Sequence, residues 1–334
     1  MKTVRWQVCV YLFLAAGLTA FLAACGGGGG GDSDTGLTYT GLTTQAVITE
    51  DNAKTLAADT WYAGMAGPQL DIFGAVQAGP ERNTNGSALS SLIVFLEGLG
   101  QQIVAAPQGT QRYVGAAVNE TMPGSCNDDI NVGYGTIIGT VNDVTGYIDV
   151  SVTFVNFCEA GAVVNGQAGM TGVAPNGDLV SFTLTFSEMT LEGLAVPTDS
   201  ITLNGSFGFN YAAVPVTATM SYVVRDNILE KSYWLKDLVV ELVAGETYTE
   251  ITAMSGRFYA PDYGYVEISV GETIYMNDED SNPSSGALIL TGVTGTGVGT
   301  TWARLTFFDG NMYQVDADTT GDDVYDFTTG VENW

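Results

Sequence analysis

Apolar residues repeat with one period near the start of the chain and with another through most of its length. Ala53, Leu56, Ala57 and Trp61 recur at helical spacing and predict a helix over 52–61. Thr49-Glu50-Asp51 stands just ahead and offers capping groups for its first turn. A second stripe, Leu89, Leu92, Ile93, Leu96, Leu99 and Ile103, predicts a helix over 87–105, weakened by Gly98 and Gly100. From about residue 111 the period becomes two. Ile148, Val150, Val152 and Phe154 alternate with Asp149, Ser151 and Thr153; Val180, Phe182, Leu184 and Phe186 alternate with Ser181, Thr183 and Thr185. Ile201, Leu203, Phe207 and Phe209 do the same among Thr202, Asn204, Ser206 and Gly208. Each run predicts a strand with one buried face. Further strands are expected over 216–225, 232–242, 247–258, 263–270, 286–292, 303–308 and 311–316. Pro175-Asn176-Gly177-Asp178 and Asp309-Gly310 are turn signals, the second placed for a hairpin.

Sheets of more than about ten strands curl, close or split. The expected fold is therefore mainly β: a large antiparallel sheet, curled or two-layered (sandwich or open barrel), with one or two N-terminal helices packed on it. Thr153-Phe154 followed by Asn165-Gly166 echoes Thr185-Phe186 followed by Asn204-Gly205. The spacings differ, so the echo reads as similar hairpins and not as a solenoid.

The first residues follow neither pattern. Lys2 and Arg5 precede an uncharged apolar stretch, Val8 to Leu22, that ends in small residues. A bilayer span needs about 20 apolar residues; this shorter stretch has the form of a cleavable export signal. Leu22-Ala23-Ala24-Cys25 resembles the lipobox of bacterial lipoproteins. The resemblance implies cleavage before Cys25, acylation of its sulfur with palmitate-type chains, and attachment to a membrane by lipid. In that family an Asp directly after the lipidated cysteine keeps the protein on the inner membrane. Gly26 stands there, which implies the outer membrane. Gly26 to Gly31 and the following Asp32-Ser33-Asp34-Thr35-Gly36 make a flexible tether reaching roughly 18 Å. The expected organisation is a signal peptide over 1–24, a lipidated cysteine with its tether over 25–44, and one β-rich domain over 45–334 whose first part, 45–110, is helical.

Composition narrows the chemistry. The chain carries 37 acidic and 10 basic residues, net −27, and becomes more acidic once Lys2 and Arg5 leave with the signal. Such a charge repels nucleic acid and anionic head groups. Charged residues are only 14% of the total, so the acid is dispersed over a Gly/Thr/Ser/Asn surface and is not a disordered tail. Cys9 leaves with the signal and Cys25 carries lipid, so Cys126 and Cys158 remain. In an oxidising envelope compartment they are expected to form a disulfide, with two free thiols as the alternative. The pattern Cys126…Phe154-Val155-Asn156-Phe157-Cys158…Asn165-Gly166 resembles a group of uncharacterised β-rich envelope lipoproteins and implies no particular activity.

With no histidine in the chain, Ser-His-Asp, Cys-His and histidine-zinc chemistry are excluded. Gly295-x-Gly297-x-Gly299 does not match the dinucleotide fingerprint and reads as a bulge or loose turn. Carboxylate-pair hydrolysis stays open, but spacing selects no pair among so many acids. One cluster has ligand-like spacing: Asp316, Asp318, Thr320, Asp322 and Asp326, with Gly321 at the sixth position as in calcium loops. Phe327 occupies the twelfth position where a bidentate Glu is expected, so the readings are a degenerate calcium loop or a plain acidic turn. Asp278-Glu279-Asp280 reads as a solvated loop, and the closing Trp334 lacks the alternating run of a lipid-facing strand.

The leading expectation is a non-enzymatic envelope lipoprotein, its β-body serving binding or support of a protein partner or an apolar ligand, without a cofactor other than a calcium ion. One alternative is a carrier of lipid or another hydrophobic ligand in an open barrel. The other is a carbohydrate-binding or carboxylate-based carbohydrate-active protein, with Trp234 or Trp302 as stacking platforms.

Overall fold

A computed structural model describes residues 36–65, 116–124, 133–142, 144–159, 162–175, 179–193, 200–245, 247–277 and 282–334. The expected helix over 87–105, Cys25, Cys126 and Asp278–Asp280 lie outside the described residues.

The strands are β1 (Ala116–Pro123), β2 (Tyr134–Asn142), β3 (Tyr147–Glu159), β4 (Ala162–Val173), β5 (Ser181–Gly193), β6 (Ser200–Asn210), β7 (Val216–Asp226) and β8 (Lys231–Ala244). They continue as β9 (Tyr248–Ala260), β10 (Gly264–Asn277), β11 (Ser285–Thr291), β12 (Trp302–Phe308), β13 (Met312–Asp318), β14 (Phe327–Thr328) and β15 (Glu332–Asn333). One helix, α1 (Ala53–Met65), precedes them. All fifteen strands belong to a single antiparallel sheet in which β1 to β14 pair in chain order and β15 pairs with β13. The meander is open and does not close into a barrel. Among the described residues, no helix is long and apolar enough to cross a membrane.

One face of the sheet is continuously apolar. A single row in register runs Val152, Ala168, Phe186, Gly205, Tyr222, Leu235, Phe258 and Val266 across eight strands. Helix α1 lies on this inner face. Ala53, Leu56, Ala57, Thr60 and Trp61 are buried, and Trp61 packs on Phe307 with ring centroids 4.4 Å apart. The helix touches β8 and β9 as well as β12 and β13, so the sheet curls around it. Its start is capped by Asn52: the Thr49 amide donates to Asn52 Oδ1 at 2.8 Å, and the Ala53 amide opens the helical ladder on the Thr49 carbonyl at 2.9 Å.

The curl has a local cause. Ladder registers slip between Phe154 and Phe157, Phe186 and Met189, Met220 and Tyr222, Lys236 and Val239, and again within 270–275. These slips neighbour one another across the sheet, so a line of β-bulges crosses it from β3 to β11. Asn156, Glu188 and Asp237 sit on this line with positive φ. Opposite lie glycines from four short pairs: Asn165-Gly166, Asn204-Gly205, Ser255-Gly256 and Ser285-Gly286. A Cβ on Gly205 would stand 2.3 Å from the Ser221 carbonyl oxygen and 2.4 Å from Tyr222 Cα, so no side chain fits. The preceding asparagines cap the bulges: Asn165 Oδ1 accepts the Asn156 amide at 2.7 Å and Asn204 Oδ1 the Glu188 amide at 3.1 Å. Bulges bend strands and increase their twist, and one at the same level in strand after strand makes a crease. The two echoing hairpins of the sequence are two units of this crease.

Residues 36–44, expected to belong to the flexible tether, are instead docked. They run along the outer face over another row in register, Asn204, Val223, Trp234, Tyr259 and Tyr265. Asn204 Nδ2 donates to the Leu37 carbonyl at 3.4 Å, and the Leu42 amide to the Pro261 carbonyl at 3.2 Å. Gln45 forms a parallel bridge with Tyr265 where β10 extends past the end of β11. From there the arm passes to the inner face, where Ala46 and Ile48 are fully buried ahead of α1. Apolar and aromatic side chains under the arm hold it down, which is why it does not behave as its Gly-rich neighbour predicts.

Candidate functional site

The acidic loop after β13 does not gather metal ligands. Asp318 Oδ1 accepts the amides of Gly321 at 2.6 Å, Thr320 at 3.1 Å and Asp322 at 3.4 Å, while Oδ2 accepts the Asp323 amide at 2.7 Å. Its side chain is shut off from solvent by its own loop and not by depth in the body. Burial pushes the carboxyl up, but the four amides outweigh it and hold it below its ordinary value. Asp326 Oδ1 accepts the Thr319 amide at 3.0 Å and its hydroxyl at 2.9 Å; Asp322 Oδ1 accepts the Val324 amide; Asp316 Oδ1 accepts from Gln314 Nε2 at 2.7 Å. Of the two readings for Asp316, Asp318, Thr320, Asp322 and Asp326, a degenerate calcium loop or a plain acidic turn, the geometry favours the turn, closed by its own backbone donors. Among the described residues, no group of three or more Asp, Glu or Cys converges in a way that could hold a metal ion.

A titratable cluster lies where α1 meets the end of the sheet. Asp59 is half-buried and its carboxyl is pushed up to about 7 by burial, against the opposing pull of Lys231. Lys231 is ion-paired with Asp262 on the neighbouring turn. Tyr233, stacked on Phe258 at 6.2 Å, is raised by burial and by the surrounding carboxylates. Asp262 is engaged by Lys231 and Asp226 by the amides of Ile228 and Leu229, so the raised Asp59 carboxyl reads as a cost of packing polar helix residues on an apolar face. Asp59 lies off the apolar stripe Ala53, Leu56, Ala57 and Trp61, and the sequence pattern does not show which part of the curled sheet covers it.

The outer face divides at the crease. On one side, Tyr39 of the arm lies over Trp234 and Tyr259 with centroids at 6.0 and 5.6 Å, and Trp234 and Tyr259 stack at 4.7 Å. Burial, helped by Tyr259 and Asp262, pushes the Tyr39 hydroxyl up to about 12. Lys236 sits 4.7 Å above the Trp234 ring and Arg257 4.9 Å above Tyr265. Trp234 is therefore engaged within the protein. Trp302 likewise meets Tyr325 edge-on at 4.6 Å, and Trp334 packs on Tyr313 and Phe307 at 4.3 and 6.1 Å. None of the tryptophans expected as sugar platforms presents a bare ring.

On the other side lies a trough of about 290 Å³. Two rows in register build it: Thr171, Thr183, Gly208 and Thr219; and Tyr147, Val173, Ser181, Asn210 and Thr217. Gly208 forms the low point between the flanking threonines, and Tyr147, 45% exposed, forms the lip. The lining holds no charged side chain, in a chain with 37 acids. The sequence shows these residues only as the polar half of alternating strands; that they adjoin is a matter of register, which the pattern of one strand does not contain.

Cys158 on β3 is buried and is not a free thiol. A Cβ on Gly124, two residues before Cys126, would stand 2.3 Å from the Cys158 carbonyl oxygen. The chain leading to Cys126 therefore passes directly against Cys158. No family model, no curated protein and no solved structure matches the chain.

Proposed function

We propose that the chain is an envelope lipoprotein, lipidated at Cys25, joined by Cys126–Cys158, and displayed at the outer membrane with a β-body that binds or supports and does not catalyse. The observation that carries this reading is the arm. From Leu37 onward the chain is fastened to the outer face, the arrangement a tethered body needs if its anchor is not to pull the fold apart. The chain's lack of histidine and the self-satisfied carboxylates of the acidic loop support a binding role. Labelling of the producing cells with radioactive palmitate tests the anchor. Label on the wild type that vanishes in Cys25→Ser is the expected result; an unlabelled protein that keeps residues 1–24 overturns it. Mass spectrometry of a non-reduced digest tests the Cys126–Cys158 link.

The apolar inner face of an open sheet favours a second reading, a carrier of lipid or another hydrophobic ligand. Native mass spectrometry of protein extracted without denaturant is the check: co-purifying lipid supports it, and a clean apo spectrum removes it.

A further inference from the structure

We propose that the trough on the outer face of β3 to β7 is a binding site for neutral carbohydrate; this deepens the binding reading above and rests on it. Its floor is sheet backbone at Gly208, and its walls carry the hydroxyls of Thr171, Thr183, Thr217 and Thr219. Among the described residues none of these four hydroxyls has a partner within the protein. Thr171 and Thr183 face each other on adjacent strands, about 4.8 Å apart, while Thr183 and Thr219 flank Gly208 from two strands apart, a spread of donors and acceptors on the scale of the ring hydroxyls of a sugar. Tyr147 at the lip offers an exposed aromatic face for the C–H side of a pyranose.

The same features exclude other ligands. An anionic molecule meets a strongly acidic protein with no cation in the lining. A peptide strand needs a free sheet edge, and β3 to β7 are paired on both sides. Phe182 and Phe209 belong to the lining but are buried from solvent, and the threonines between them leave no continuous apolar wall for a lipid chain. Ligand pockets span about 300–1,000 Å³, so a volume near 290 Å³ suits one or two sugar rings and not a buried chain.

The test uses the full-length protein in detergent, titrated calorimetrically with cellohexaose, maltohexaose, laminarihexaose and chitohexaose, with polygalacturonate as the anionic control. At least one neutral oligomer is expected to bind and polygalacturonate is not. Tyr147→Ala and Gly208→Val should each weaken binding tenfold or more. A Cβ at Gly208 stands 2.8 and 3.3 Å from the Thr219 and Thr183 hydroxyls and 3.4 Å from the Phe182 carbonyl oxygen, so its closest neighbours are side chains of the trough and the valine fills it. Thr219→Val keeps the shape and removes one hydroxyl, with a loss of about threefold; thermal melts confirm that each variant is folded. Absence of binding to all four oligomers, or binding that none of the three variants weakens, overturns the site. Release of new reducing ends from a bound oligomer would keep the site and remove the non-catalytic reading. Palmitate label on Cys25 without any oligosaccharide binding would do the reverse.

Discussion

Two halves of one outer face, formed by overlapping sets of strands, meet water differently. Toward the β7–β8 and β9–β10 turns, the row Val223, Trp234, Tyr259 and Tyr265 is aromatic and lies beneath the arm. Across the crease, the row Thr171, Thr183, Gly208 and Thr219 is polar and bare. Aromatic surface of that extent gains from being covered, since apolar area taken from water is worth roughly 25 cal/mol per Å². A threonine row gains little from a cover and stays available. The arm thus marks which half belongs to the fold and which half is free to meet another molecule.

The largest expected effect comes from the boundary itself. Gly205→Ala places a Cβ against backbone at a φ of 140° and should destabilise the protein by more than about 3 kcal/mol in urea unfolding. Near-normal stability would show that the crease yields. Next, Tyr39→Ala removes the ring over Trp234 and Tyr259 and should cost about 2–3 kcal/mol. Thr183→Val on the bare half should stay within about 0.5 kcal/mol, and equal losses for the two would abolish the contrast. The acidic loop belongs with the self-sufficient parts. Asp318→Ala strands four backbone amides and should cost about 1–3 kcal/mol. Calcium added to the wild type should leave Tm unchanged; a rise of several degrees would restore the metal reading.

Beneath the covered half, Asp59 supplies a pH test. Burial raises its folded value to about 7 from an ordinary 3.8, so between those values the folded state holds a proton that the unfolded state has lost. Its contribution is complete below about pH 4 and is lost as pH rises to 7. Asp59→Asn should flatten that fall and add about 1–2 kcal/mol at pH 8, measured by urea unfolding across the range. The smallest change is Thr60→Val. The Thr60 hydroxyl is buried with no hydrogen-bond partner among the described residues, and its replacement should stabilise by about 0.5–1 kcal/mol.

Much of the sheet was legible in the alternation of apolar and polar residues. The expected 216–225, 232–242 and 303–308 fall on β7, β8 and β12, and Asp309-Gly310 lies in the β12–β13 turn. Strands β2 and β4 were hidden because small residues interrupt their inner rows: Gly139 between Ile137 and Val141, and Gly166, Ala168 and Gly172 around Val164 and Met170. The crease was half visible. Phe154 with Phe157, and Phe186 with Met189, put apolar residues three apart inside two-periodic runs, the mark of a strand that changes phase at a bulge. The trough was illegible, because it arises from five strands brought into register. The acidic loop left two readings open because carboxylates that receive backbone amides and carboxylates that bind calcium share the same spacing.

The path of the arm from the outer to the inner face also decides how the body answers a pull. Tension on Cys25 would reach the fold first at Leu37 and Asn204, then at Tyr39, then at Leu42, and only afterwards at Gln45 and the buried Ala46. The load is applied across the strands and is relieved one contact at a time, so it never peels the sheet from an edge. Under a pull from the N-terminal side, such a chain yields in small steps while helix and core stay in place.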